Sequence, residues 1–208
     1  MTSGKQFTEF RLDPQLWTRE GQFITALDHW WGLGSDLPQP EPMRQYLTAS
    51  MESETVRDGV VLMSLVGWDK ALTSLESIGA WQPHEDGQRV ILPEGVEPAD
   101  PAMWIGEPID VLGALTGTSG REPSVGAYLA VRTLDSLAQY PMASGIRANI
   151  LAALGLLQWH TGDGVAAEQN TALALASNRL NTLALETQKL LGSPPLWIRS
   201  RRWKENNV

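Results

Sequence analysis

The chain has 208 residues, 42% of them apolar and 19% charged, with nine tryptophans and a net charge of −8. A chain of this length can bury roughly 70% of its unfolded surface, enough for one domain with a sizeable core. No cysteine is present, which excludes disulfides, thiolate-bound zinc, iron–sulfur clusters and a thiol nucleophile.

Met1 to Leu12 has no apolar signal core, and no run of 18 apolar residues exists. The expectation is a cytoplasmic protein with no membrane span. Asp13-Pro14 is a helix start, Asp as cap and Pro in the first turn. Leu16, Trp17, Phe23, Ile24, Leu27, Trp30 and Trp31 then recur at helical spacing, and Gly32 and Gly34 end the run. A Pro-rich link, Leu37 to Pro42, leads into a short helix up to Met51.

Val56 to Val66 reads two ways. Val56, Val60, Met63 and Val66 share one helical face, while Val61, Leu62 and Leu65 fill the opposite side. A buried helix is favoured, and a turn at Asp58-Gly59 followed by a buried strand is the alternative. A further helix is expected over Asp69–Ile78. Trp81 to Pro101, with Pro83, Gly87, Pro93, Gly95, Pro98 and Pro101, reads as a long loop and as the best internal boundary.

Ile109–Leu115 is expected to be helical and to break at Gly117-Thr118-Ser119-Gly120. Pro123 is read as opening the next helix, which runs to Tyr140 and stops at Pro141. Ser144 is read as the cap of a helix with Ile146, Ile150, Leu154 and Leu157 on one face. Gly162 can end that helix with positive φ, and Asp163 can cap its successor. The last helix, Leu180–Leu191, carries Leu180, Leu183, Ala184, Thr187, Leu190 and Leu191 on one stripe. Gly192 and Pro194-Pro195 end it.

The expected fold is mostly α: an irregular helical bundle ending in antiparallel helices, with little or no sheet. It forms a single domain over 1–208. Its parts are N-terminal helices (1–52), apolar helices (53–80), a Pro/Gly-rich loop (81–107), a helical bundle (108–192) and a basic tail (193–208).

Leu154-Gly155, Gly162-Asp163, Ala167 and Ala174-Leu175 are spaced as in a tetratricopeptide repeat, which this hairpin resembles over about one copy. Thr171 stands where that motif has an aromatic residue. No second copy at a period of 34 is present, whereas stacked repeats need about three. From about Thr55 onward the chain also resembles the C-terminal part of the actinobacterial domain-of-unknown-function family number 4192. The residues that carry this are Arg57-Asp58, Gly162-Asp163-Gly164, Ala174-Leu175 and Gly192-Ser193-Pro194-Pro195-Leu196-Trp197. The resemblance implies a helical fold and no particular activity. The N-terminal α/β half of typical members is not expected here.

His29, His84 and His160 each stand alone, with no second ligand at metal spacing, so neither a metal site nor a catalytic group is expected from them. His160 lies near the negative pole of a helix. Gly117–Gly120 lacks the Lys and the spacing of a phosphate loop. Arg57 and Asp58 precede an apolar run and read as a buried ion pair, with Arg132 and Arg147 as further partners for Asp58. Trp197, Arg199, Arg201, Arg202, Trp203 and Lys204 form the one basic cluster.

Charge is uneven. Residues 1–100 hold sixteen acids and seven bases, and residues 101–208 hold eight acids and nine bases. An acidic half repels nucleic acid. The expected function is a non-catalytic helical adaptor without cofactor or metal. It would bind a protein through Trp159, Trp197, Arg199, Arg201, Arg202 and Trp203, with homo-oligomerisation open. The alternatives are an enzyme whose site joins distant residues (Arg57, Asp58, His29, Arg132) and weak nucleic-acid binding through the tail.

Overall fold

A computed structural model describes residues 29–30, 39–71 and 113–206, with side chains as far as Arg201. Among these residues every regular element is a helix. The Asp13 helix start, most of the Asp69–Ile78 helix, the 81–107 loop, His84 and the Trp203 side chain lie outside the described residues.

Helix α1, Glu41–Ser50, follows Pro40 and has Pro42 in its first turn, where the missing N–H costs no helical bond. A tight turn at Met51–Ser53 leads into α2, Glu54–Val66. Ser53 Oγ accepts from Val56 N at 3.3 Å, and Gly67 at φ 92° ends the helix. Val60–Val66 is therefore helical, not a strand. It is apolar nearly all round because α2 packs against two helices from later in the chain.

Helix α3, Val125–Ala138, starts two residues later than Pro123 suggests: Ser124 is the cap, accepting from Ala127 N at 3.2 Å. Helix α4, Ser144–Thr161, begins on Ala143 with no side-chain cap, so Ser144 is its first residue and not its cap. Gly162 at φ 94° closes α4. Asp163 then caps α5, Gly164–Ser177, its Oδ1 accepting from Ala166 N at 3.0 Å. Helix α6, Thr182–Leu190, is capped by Asn181. Helix α7, Leu196–Asn206, occupies what the composition marks as a basic tail.

Helix α4 is the axis of the bundle. Ala148 through His160 are buried without a break, where periodicity predicts one apolar stripe. The reason is long-range: α2, α3, α5 and α6 all pack on it. Its closest partner is α5. A Cβ on Gly155 would stand 2.6 Å from Thr171 Oγ1 and 3.2 Å from Ala167 O, so only glycine permits this spacing. The α6 stripe is also shorter than expected: Ala184 and Thr187 are buried, but Leu180 is 81% exposed.

Candidate functional site

Three places bring polar groups together. The first lies where α2, α4 and α6 meet. Arg57 is 1% exposed. Its Nε donates to Asp58 Oδ1 at 2.7 Å, Nη1 to Asn149 Oδ1 at 3.1 Å and Nη2 to Thr182 Oγ1 at 3.4 Å. Glu54 Oε1 stands 3.8 Å from Nη1. Asn149 donates to Met51 O at 2.9 Å, and Asn181 donates to Asn149 Oδ1 at 2.9 Å. Burial raises the Asp58 carboxyl above its ordinary range, while the hydrogen bond and charge of Arg57 pull it back down. The expected Arg57–Asp58 pair thus exists, with only the arginine deeply buried. Arg132 and Arg147 lie exposed on α3 and α4 and are not the partners of Asp58.

This cluster is a brace. Every donor that Arg57 aims inward has an acceptor, and the bonds tie the α1–α2 turn to two later helices. Sequence reading missed Asn149, Asn181 and Thr182. The available signal was an asparagine set within the apolar run Ala148–Ala153, since a buried amide needs partners.

The second place is the far end of α4. His160 is 5% exposed, and its Nε2 lies 3.0 Å from Leu115 O. A carbonyl only accepts, so Nε2 carries the proton. Burial lowers the imidazole pKa to about 4, partly countered by the Leu115 hydrogen bond. His160 is therefore neutral at physiological pH and does not act as a cation at the helix pole. Trp159, expected at a binding surface, is interior: it is 4% exposed and its Nε1 donates to Ser193 O at 3.0 Å.

Gly117 lies over that indole. A Cβ there would stand 2.5 Å from the Trp159 ring. The backbone N–H groups of Gly117, Thr118 and Ser119 donate to Ala114 O and Gly113 O. They are spent internally, so this loop is no phosphate cradle. A cleft of about 130 Å³ opens beside it, lined by Lys70, Ser119, Arg121, Glu122 and His160 with Leu65 and Val66.

The third place is α7, fixed at its root. Trp197 Nε1 donates to His160 O at 2.9 Å, and Leu196 N donates to Gly117 O at 2.8 Å. Ile198 and Trp197 close over Gly162, where a Cβ would meet Ile198 at 3.1 Å. Arg199 and Arg201 are exposed. The Arg202 and Trp203 side chains lie outside the described residues.

The two described histidines have separate neighbours, His160 standing against Leu115 and Trp159. His29 sits against Tyr46 of α1, ring centroids 4.8 Å apart. Asn149, which binds Arg57, and His160 are eleven residues apart on one helix, about 16 Å at 1.5 Å per residue. No group of three or more potential metal ligands exists among the described residues. No helix among them is long and apolar enough to cross a membrane. No family model, curated protein or solved structure matches the chain.

Proposed function

We propose that this chain is a non-catalytic, helical protein-interaction module of the cytoplasm, binding an acidic protein surface through α7. The observation that supports this is the firm docking of α7 at its root combined with the exposure of Arg199 and Arg201. Leu196–Asn206 carries four cations and one acid. A helix already ordered on its own protein loses less entropy on binding than a flexible tail would.

The first helix of the tetratricopeptide-like hairpin is walled in along its length, so the contact surface in this reading is α7 and not a groove beside α4. The wide spacing between the Arg57 cluster and His160 argues against one active site built from both. The acidic half of the chain weighs against nucleic acid as the partner.

The test is photo-crosslinking from position 199 in the full-length protein, with an Arg199→Glu/Arg201→Glu variant as the control. The expected result is capture of one acidic protein, weakened by salt and lost in the variant, with an unchanged circular dichroism spectrum. Capture that survives charge reversal would reject α7 as the surface. Light scattering on the same samples reads self-association, the other form the interaction could take.

A further inference from the structure

Helix α5 packs against α4 and α6. Its buried residues are Ala167, Thr171 and Ala174. The side facing away from them is apolar and open. Val165 is 70% exposed and Leu173 50% exposed, and Ala172 and Ala176 are exposed with them. At 3.6 residues per turn these four and Gln169 fall within an arc of about 100°. Leu180, in the loop after the helix, is more exposed still. Apolar residues scattered singly are ordinary on a surface, whereas a strip of them along one helix marks a place of contact.

The same face is electrically neutral. Residues 164–191 hold two acids, Glu168 and Glu186, and two bases, Arg179 and Lys189, in a chain of net charge −8. Lys189 Nζ and Glu186 Oε1 pair with each other at 2.6 Å. Two copies of an acidic chain repel, and a neutral apolar face is the approach on which that repulsion is least.

The order of residues selects a second copy as the occupant. A two-fold interface needs one patch that matches itself. With two α5 helices laid antiparallel and the axis between Ala172 and Leu173, Val165 stands opposite Leu180 of the second copy. Gln169 stands opposite Ala176, and Ala172 opposite Leu173. Val165, Ala172, Leu173 and Leu180 each gain an apolar neighbour. Glu168 comes within two residues of the position facing Arg179 of the second copy, so charge is matched along with apolar surface. A foreign partner would place no such demand on the order of these residues.

We propose that the outer face of α5 is the interface of a homodimer, in which two α5 helices meet antiparallel about Ala172 and Leu173. One helix of 14 residues, about 21 Å long, offers less than the roughly 800 Å² per partner of a standard interface. The dimer is therefore weak, with a Kd on the order of tens of micromolar. The interface does not rest on the reading of α7 as a binding surface.

The experiment is sedimentation equilibrium of the full-length protein at concentrations spanning that Kd, at low and high salt. The expected result is a reversible monomer–dimer equilibrium that high salt does not weaken. Leu173→Lys, at an exposed position, sets two like charges at the axis and should weaken the dimer at least about tenfold with an unchanged circular dichroism spectrum. The chain has no cysteine, so single introduced thiols report the register. A Val165→Cys chain mixed with a Leu180→Cys chain should form the mixed disulfide, while neither should crosslink to itself, because its two copies lie at opposite ends of the interface. A chain that stays monomeric to about 1 mM, or a dimer indifferent to Leu173→Lys, would overturn the proposal. So would self-crosslinking of Val165→Cys ahead of the mixed pair, which reports parallel helices. Association that salt dissolves and Arg199→Glu/Arg201→Glu abolishes would belong to α7 and reject the α5 face.

Discussion

His160 makes stability depend on acid in a defined window. Its pKa is about 4 in the fold and about 6.5 in an unfolded chain, so below the upper value the unfolded state takes up the proton first. Stability should fall by about 3 kcal/mol as the pH drops from about 6.5 to 4, and should not vary with pH through this residue above that range. Urea melts of the native chain and of His160→Gln check this: the difference between the two should shrink as the pH drops. Asp58 works in the opposite direction, because a raised carboxyl pKa adds stability as acid is added. A native-minus-variant slope of zero would show that His160 is not buried as described. At the same scale, Gly155→Ala should cost about 1–3 kcal/mol, since the new methyl meets the Thr171 hydroxyl and two backbone atoms. Thr171 Oγ1 is buried without a hydrogen-bond partner. Thr171→Ala should therefore relieve part of the Gly155→Ala cost, and a double-mutant cycle measures the non-additivity.

Between elements, the Arg57 brace and the α7 root are the joints that can be cut. Arg57→Ala removes three side-chain hydrogen bonds and leaves space among Asn149, Thr182 and the α1–α2 turn. The expected loss is about 3–5 kcal/mol by chemical denaturation. Arg57→Met should cost less, because the vacated volume is filled. Trp197→Phe keeps the ring but removes its bond to His160 O. It should loosen α7 and raise protease cleavage around Arg199 while leaving the rest of the bundle closed.

Several element boundaries were readable because their signals are local: the Pro-rich link before α1 and Gly162-Asp163 between α4 and α5, whereas the Gly67 stop after α2 was passed over. Arg57-Asp58 was readable as a pair for the same reason. Its other partners were not, since Asn149 lies 92 residues away and nothing in either neighbourhood names the other. Trp159 was misread as a surface residue because indoles serve cores and interfaces alike, and the wall over it comes from Gly117 and Pro195.

On the scale of the molecule, α4 sets the order of stability. Its amides from Ile150 to Gln158 sit under four other helices, so they should exchange with deuterium only through global unfolding. Those of α7, held at one end, should exchange far sooner. Uniform exchange across both helices would contradict this layering. Periodicity could not reveal it, because a single stripe is the expectation for a helix walled on one side, and α4 is walled on several.

The same arrangement bears on how the protein is made. The greasy cylinder Ala148–His160 leaves the ribosome after α2 and α3 but before α5, α6 and the Trp197 anchor. For some forty residues of further synthesis, part of its circumference has nothing to lie against. Nascent chains stalled shortly after Thr161 should therefore recruit chaperones and clump, whereas those released past Trp197 should not.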